Sequence, residues 1–235
     1  MIVTIHQPEH MPWLGFFNKA FNCDIFVILD NVQYRKNYFQ NRNQIISPCN
    51  SNSIWLSVPL IKGSMKDLIC EKHILIDKNK FKNYFSKIEQ SYSKYPFYEK
   101  YIHNLKKIFE IERESISKLN ISLIKYFFEI LNIDCDVKVA SDLNLPKSDV
   151  GGIVNFDICN HLDASKYLSG KSGKDYLDLT PFKKNNIEVV FQDFTHPTYN
   201  QPGDVFVPNL SILDLLFSHE IEEIKKLIKN SYKIK

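Results

Sequence analysis

Residues 2–30 read IVTIHQPEHMPWLGFFNKAFNCDIFVILD, and this stretch decides the fold. It opens with a β-branched run at 2–5 and closes with an apolar run at 25–29, and apolar residues between 14 and 23 recur at helical spacing. The stretch therefore predicts a β-loop-α-β unit. In such a unit the strand ends bring polar residues to one edge of a sheet, so we expect His6-Gln7 and residues 30–33 to face one crevice.

The rest of the chain alternates between strand-like and helix-like patterns. Strands are expected at 42–46, 54–59, 137–141, 166–168 and 187–191. Helices are expected at 153–161, as a closing pair from residue 212, and as three helices over 78–131, the second starting at Pro96. We predict a single α/β domain over residues 1–235, with a mixed sheet, flanking helices and an all-helical subdomain inserted at 78–133.

The composition indicates an ordered globular protein, because 44% of its residues are hydrophobic and 24% are charged. The net charge of +3 is a small difference between 30 basic and 27 acidic residues. It weakly favours anionic partners, whereas a nucleic-acid surface usually carries a stronger clustered excess of basic residues. We therefore expect no nucleic-acid partner.

The five cysteines are scattered and never spaced as C-x-x-C, which predicts reduced thiols and neither a disulfide framework nor a zinc site. No metal site is expected. The sequence shows no secretory leader and no apolar run near the roughly 20 residues that span a bilayer. We expect a cytoplasmic protein without a transmembrane segment.

His6 is a candidate catalytic residue because it directly follows a predicted strand and precedes Gln7 and Pro8, which stiffen the loop. An imidazole titrates near neutral pH and can act as a general base when it is held in place. Gln7 beside it is a candidate substrate ligand. The alternative is a hydrogen-bonded structural histidine.

Asp30, at the end of the second strand, is a candidate catalytic carboxylate, with Gln33 and Lys36 just beyond it as candidate substrate ligands. An amine or a sugar hydroxyl needs such acceptors and donors, and a phosphate needs the cation. The alternative is that Asp30 caps a turn.

Asn41, Arg42 and Asn43 bring many hydrogen-bond donors between aromatic residues and a strand. A guanidinium binds a carboxylate or a diphosphate through two hydrogen bonds at once. The three residues are therefore candidate substrate ligands, and the alternative is a structural arginine network.

Ser169 and Gly170 open the segment SGKSGKDY, which resembles a phosphate loop. Its spacing does not fit G-x-x-x-x-G-K-[ST], since two residues separate Gly170 from Gly173. This excludes a Walker nucleotide site. Backbone amides here could still bind an anion, and a plain turn is the alternative.

His196, Tyr199 and Gln201 follow the predicted strand at 187–191 and repeat the His, Gln, Pro and aromatic character of residues 5–8. If both strands lie in one sheet, His196 and His6 could meet as an acid and base pair. Ser211, by contrast, is expected only to cap the helix that follows it.

The usual motifs of serine hydrolases, zinc proteases and dinucleotide-binding folds are absent from the sequence. A nucleophilic Cys159 remains an alternative because His161 lies two residues away. On a helix, however, residues i and i+2 point apart, which counts against this pair.

Eight blocks together resemble the WbqC-like family, and they run from residue 5 to residue 216. They are Ile5-His6-Gln7-Pro8, Pro12-Trp13-Leu14-Gly15-Phe16-Phe17, Asp30-Asn31-Val32-Gln33-Tyr34, Gln40-Asn41-Arg42-Asn43, Trp55-Leu56-Ser57-Val58-Pro59, Tyr167-Leu168-Ser169-Gly170 with Tyr176-Leu177, His196-Pro197-Thr198-Tyr199-Asn200-Gln201, and Leu210-Ser211-Ile212-Leu213-Asp214-Leu215-Leu216. The chain departs from the family pattern where it has His10 in place of Tyr, and Phe81 and Tyr84 in place of Trp and His.

The resemblance implies a cytoplasmic step in the biosynthesis of bacterial O-antigen, lipopolysaccharide or another surface glycan. The reaction it favours is transfer of an acyl or aminoacyl group, such as glycyl, to the amine of a nucleotide-linked amino-dideoxy sugar. The donor stays open among an acyl-CoA, an aminoacyl carrier and an ATP-activated acid, and Mg²⁺ could enter with a diphosphate.

On this hypothesis His6 or His196 removes the amine proton, and Arg42 with Lys36 binds the diphosphate. Gln7, Asn41 and Asn43 orient the sugar hydroxyls or the acyl carbonyl. A second hypothesis is a non-catalytic sugar-nucleotide-binding or scaffold protein that associates with other glycan-biosynthesis enzymes. A third is a hydrolase or acyl carrier centred on Cys159.

Overall fold

A computed structural model describes residues 1–64, 66–143, 145 and 151–231 of the chain. Five strands form a parallel sheet: β1 (Ile2–His6), β2 (Ile25–Ile28), β5 (Asp136–Val139), β6 (Lys166–Ser169) and β7 (Glu188–Phe191). Two further strands, β3 (Arg42–Ile46) and β4 (Ser53–Ser57), form a separate antiparallel hairpin. The predicted α/β class is confirmed. The fold contains both parallel and antiparallel strands, and the two kinds lie in separate sheets.

The strand order in the parallel sheet is β5-β2-β1-β6-β7. The chain starts at the centre with β1, builds outward through β2 and β5, and then returns to the other side of β1 with β6 and β7. The strand order therefore reverses between β1 and β6. In open parallel sheets the carboxyl ends of the two strands at such a reversal form the crevice where ligands bind.

The helices are α1 (Leu14–Ala20), α2 (Lys78–Tyr92), α3 (Tyr98–Ile111), α4 (Ile116–Ile130), α5 (Gly151–His161), α6 (Thr180–Lys184), α7 (Leu213–Ser218) and α8 (Ile221–Asn230). The three helices predicted over 78–131 correspond to α2, α3 and α4, and the predicted closing pair to α7 and α8. α3 begins at Tyr98, just after Pro96.

Apolar side chains cover both faces of the sheet because successive residues of a strand point to opposite faces. Val3 and Ile5 pack with Phe182 of α6 on one face. On the other face the Phe26 ring lies 5.4 Å from that of Phe128 in α4. Because both faces of the sheet are covered by apolar side chains, the ends of the strands are where polar side chains can lie.

His10 joins the loop after β1 to the helical segment. Its Nδ1 lies 2.9 Å from Oδ1 of Asn120 in α4, and its Nε2 lies 2.7 Å from the hydroxyl of Tyr84 in α2. The Asn120 amide oxygen only accepts, so Nδ1 carries the proton and Nε2 accepts from the tyrosine. His10 and Tyr84 are therefore in direct contact.

The buried His10 should make the fold sensitive to acid. Burial lowers the pKa of His10 from 6.5 to about 4, so its contribution to stability is complete above pH 6.5 and is lost as the pH falls toward 4. We expect the free energy of unfolding, measured in urea from pH 7 to 4, to fall more steeply for the wild-type protein than for His10→Gln. The maximum difference in slope is about 1.4 kcal/mol per pH unit.

The control for this experiment is His103→Gln, because 76% of the His103 side chain is exposed. It should leave the slope unchanged. Parallel pH profiles for the wild-type protein and His10→Gln would contradict the expectation.

Candidate functional site

The candidate site lies at the carboxyl ends of β1 and β6, where the strand order reverses. Thr4 of β1 is paired with Leu168 of β6, and His6 and Gly170 each lie two residues further along their chains. Ser169 is the last residue of β6. The structure thus brings together His6, Ser169 and Gly170, which the sequence predicted separately.

A buried lysine of α1 occupies this edge of the sheet. Lys19 is 2% exposed, and its Nζ donates a 3.4 Å hydrogen bond to the carbonyl of Ile5. The same Nζ lies 4.0 Å from where a Cβ on Gly170 would stand, so the glycine leaves space beside the ammonium group. A cation is therefore fixed between the ends of the two strands.

Glu9 supplies a buried carboxyl group to the same place. Its Oε1 lies 3.6 Å from Nε2 of His6, and its buried Oε2 has no hydrogen-bond partner among the described residues. Burial raises the pKa of Glu9 to about 8 against the opposing charge of Lys19. Burial likewise lowers the pKa of Lys19 to about 8, against the opposing charge of Glu9. Both groups therefore titrate close to neutral pH.

His6 is held in one tautomer. Its Nδ1 lies 3.0 Å from the carbonyl of Gln7, which can only accept, so Nδ1 carries the proton and Nε2 keeps its lone pair. Burial first, and then the charge of Lys19, lower the pKa of His6 to about 3. The side chain nevertheless remains 23% exposed. His6 is thus a neutral base on a partly exposed side chain.

We call His6, Glu9, Lys19, Ser169 and Gly170 the sheet-edge cluster. It combines a proton acceptor, a carboxyl group and a cation in a poorly hydrated place. Such a set can take up a proton and stabilise a developing negative charge.

The sequence predictions missed Glu9 and Lys19. A signal for Lys19 was present, because α1 has the sequence LGFFNKA and is apolar nearly all round. A helix of that kind is buried on every side, which buries its single lysine as well. We find no comparable signal for Glu9, whose burial depends on tertiary packing.

Asp30 lies in a different environment from the one predicted. Its carboxylate accepts hydrogen bonds from the backbone N–H and the hydroxyl of Ser141, both at 3.0 Å, and from the Ser117 hydroxyl at 3.3 Å. These bonds tie the end of β2 to α4 and to the segment after β5. Asp30 makes no described contact with His6, so the expected shared crevice does not include its carboxylate.

The loop after β2 is tied to the sheet-edge cluster through Gln7. The Gln7 side-chain oxygen accepts a 2.7 Å hydrogen bond from the amide of Gln40, whose own oxygen accepts from the backbone N–H of Arg35. Gln33 and Lys36 lie exposed on this loop. Both predicted ligands are therefore exposed to solvent.

The amides of Asn41 and Asn43 are engaged within the protein. Asn41 accepts from the Tyr34 hydroxyl and donates to the carbonyl of Val58. Asn43 is fully buried and donates to the carbonyl of Met11 at 2.8 Å. Both side chains hold the β3–β4 hairpin in place, which is the structural alternative for these residues.

Arg42 differs from its two neighbours. Its guanidinium carbon lies 4.0 Å from the centre of the Trp55 ring, and one terminal nitrogen donates to the carbonyl of Asn37. It therefore stacks on the hairpin next to the exposed loop.

His196 does not meet His6. Its Nδ1 donates to the carbonyl of Pro197 at 2.8 Å, and its Nε2 accepts from the backbone N–H of Asn209 at 3.1 Å. Both ring nitrogens are occupied, and no described hydrogen bond or ring contact joins the two histidines. The expected acid and base pair is therefore not formed.

Tyr199 and Gln201 form a second cluster with Asp214 of α7. The Tyr199 hydroxyl and the Gln201 amide each donate to the same carboxylate oxygen of Asp214 at 2.9 Å. Burial raises the pKa of Asp214. The two predicted ligands thus anchor the segment before α7 and lie outside the sheet-edge cluster.

Three further observations concern the other hypotheses. Cys159 is fully buried, and burial raises the pKa of its thiol to about 12, which disfavours a nucleophilic thiolate. Within the described ranges, no group of three or more His, Cys, Asp or Glu side chains is placed to hold a metal ion. The same ranges contain no helix both long enough and apolar enough to cross a membrane.

The chain is similar to a known protein family and to a known protein. Residues 7–226 match the model of the WbqC-like protein family. A protein of Mycobacterium tuberculosis (strain ATCC 25618 / H37Rv), named Uncharacterized protein Rv1507c, is 30% identical over 220 residues, which cover 92% of this chain and 93% of the relative. No solved structure matches the chain.

Proposed function

The chain belongs to the WbqC-like protein family, and from this premise we propose that it is a cytoplasmic N-acyltransferase of bacterial surface-polysaccharide (O-antigen) biosynthesis. It transfers an acyl or aminoacyl group, such as glycyl, to the amine of a nucleotide-linked amino-dideoxy sugar. The observation that carries the proposal is the neutral His6 beside the buried Lys19 at the reversal point of the sheet.

In the proposed reaction Lys19 acts first and His6 acts second. The amine nitrogen bonds to the acyl carbonyl carbon, and the carbonyl oxygen takes up negative charge near the Lys19 ammonium group. The attached nitrogen becomes strongly acidic at this point, so a base of low proton affinity such as His6 can take its proton through Nε2. The oxyanion then reforms the carbonyl, the bond to the leaving group breaks, and the proton passes to that group.

The remaining predicted residues take supporting roles in this proposal. Gln7 orients the sugar or the acyl carbonyl, Lys36 and Arg42 contact the nucleotide, and Gln33 lies on the same loop as Lys36. Asp30, Asn41, Asn43, His196, Tyr199 and Gln201 act as positioning residues through the hydrogen bonds described above. The acyl donor is an acyl-CoA, an aminoacyl carrier or an ATP-activated acid.

A second candidate function is a non-catalytic sugar-nucleotide-binding or scaffold protein of a glycan assembly complex. The low pKa of His6, about 3, favours this candidate, because an efficient general base usually has a pKa near the working pH. In that case the sheet-edge cluster binds the ligand without reacting with it.

The test incubates the purified protein with nucleotide-linked amino-dideoxy sugars and a set of donors: acyl-CoAs, glycine with ATP, and a charged carrier. Product masses are then measured. A mass gain on the sugar supports the transferase and identifies its donor. Binding of the sugar nucleotide without a mass gain supports the binding protein, and neither binding nor gain contradicts both.

A further inference from the structure

The solvent face of the β3–β4 hairpin carries an exposed aromatic ring beside a cation. Trp55 is 36% exposed, and the guanidinium group of Arg42 lies against its ring. Lys87, from α2, donates a 3.0 Å hydrogen bond from Nζ to the backbone carbonyl of Trp55. The hairpin and α2 thus present Arg42, Trp55 and Lys87 side by side, and we call this the Arg42–Trp55 surface.

A cavity of about 240 Å³ opens between the hairpin and α2. It is lined by Ser57, Pro59, Lys80, Asn83, Tyr84 and Lys87. Lys87 belongs to both the cavity and the Arg42–Trp55 surface, so the two are continuous. The lining supplies two ammonium groups, a hydroxyl and an amide, which are donors suited to phosphate oxygens.

None of the described residues that line the cavity carries a carboxylate. The carboxylate at the start of α2, Asp77, accepts hydrogen bonds from the backbone N–H groups of Asn79 and Lys80 and caps the helix. Throughout the described part of the chain, no ion pair involves Arg42, Lys80 or Lys87. Among the described residues, no carboxylate is therefore paired with the positive charges of this region.

We propose that this region binds a nucleoside carrying two phosphate groups. The phosphates occupy the cavity against Lys80 and Lys87, and the base packs on the Arg42–Trp55 surface. The cavity volume of about 240 Å³ is below the roughly 300 Å³ at which pockets begin to enclose whole ligands, so the base lies outside it. Aromatic rings and arginine are the side chains on which nucleic acid bases stack.

This binding site extends the proposed function. That the bound nucleotide belongs to a substrate rests on the proposed function. Arg42 follows Gln40 by two residues, and Gln40 is hydrogen-bonded to Gln7 beside the sheet-edge cluster. The segment that carries Arg42 is thereby joined to the loop that carries His6. The same chemistry occurs in the diphosphate of a nucleotide-linked sugar and in the 5′-diphosphate of a CoA donor, whose adenosine also carries a 3′-phosphate.

Tryptophan fluorescence tests the proposal directly. The chain has two tryptophans, so Trp13→Phe leaves Trp55 as the sole tryptophan. The probes are uridine diphosphate, adenosine 3′,5′-bisphosphate and inorganic pyrophosphate, which lacks a base. We expect at least one nucleotide to quench Trp55 saturably and to bind at least about tenfold more tightly than pyrophosphate. The nucleotide that binds more tightly identifies the source as the sugar or the donor.

Calorimetry on the unmodified chain serves as a second measurement, because Trp13 packs on Phe194 and its replacement could disturb that contact. In this measurement Lys80→Ala should raise Kd for the nucleotide about tenfold or more. The matched control is Lys82→Ala, an exposed lysine of the same helix that does not line the cavity, and it should leave Kd within twofold.

Absence of nucleotide binding, equal affinity for pyrophosphate and nucleotide, or equal effects of Lys80→Ala and Lys82→Ala would overturn the proposal. Nucleotide binding with these preferences but without a mass gain in the transfer assay would contradict the proposed reaction and leave the binding site standing. The two failures are therefore distinguishable.

Discussion

Replacing His6 by alanine is expected to lower kcat for the transfer about 10²- to 10⁴-fold, which is the usual contribution of a positioned general base. The imidazole is neutral in the folded protein, and its Nε2 holds a lone pair that no backbone group occupies. Removing it takes away the proton acceptor and leaves the Lys19 cation in place. Binding of the sugar nucleotide, measured by calorimetry, should therefore change by only a few-fold.

The control variant is His196→Ala. Both nitrogens of His196 are hydrogen-bonded to the backbone, so its loss should lower the free energy of unfolding by about 1–3 kcal/mol without a comparable loss of kcat. Steady-state kinetics and urea unfolding of both variants separate the two roles. The assignment of the base to His6 is refuted if folded His196→Ala loses turnover while His6→Ala retains it.

Much of the secondary structure could be predicted from local sequence, because the periodic signals are strong. The β2 residues are an unbroken apolar run that is buried throughout, and α2, α3 and α4 carry apolar residues at helical spacing. The strand order was not predictable in this way. It depends on which distant strands pair, as when β1 pairs with β6 more than 150 residues later.

The candidate site was predicted only in part, for the same reason. His6 and Ser169 end strands, and strand ends meet at a sheet edge, so their position followed from local signals. The hydrogen bonds that engage the His196 ring and the Asp30 carboxylate did not follow from such signals. The Asp30 carboxylate meets Ser141, a residue more than 100 positions away, and only the folded chain shows that its acceptors are occupied.

Replacing Lys19 by methionine is expected to lower kcat/KM about 10²- to 10³-fold, the range for removing a group that stabilises an oxyanion. Methionine is apolar and of similar length, so the packing of α1 against the sheet should persist. The loss of the cation also raises the pKa of Glu9 further, since the charge of Lys19 currently opposes that rise. Lys125→Met, which changes an exposed lysine of α4, is the matched control and should leave kcat/KM unchanged.

The double variant Glu9→Gln/Lys19→Met separates catalysis from stability. Buried charges cost desolvation free energy, and replacing such a pair by neutral residues of similar volume is often neutral or stabilising, by about 1–4 kcal/mol. We therefore expect urea unfolding to show a double variant at least as stable as the wild-type protein, yet without transfer activity.

A stable double variant with wild-type turnover would show that the cation takes no part in the reaction. A loss of more than about 3 kcal/mol in the free energy of unfolding would show instead that the two charged residues hold the fold together. Lys19 is a buried cation at the point where the strand order reverses, and a ligand whose negative charge meets it would offset the desolvation cost of that cation.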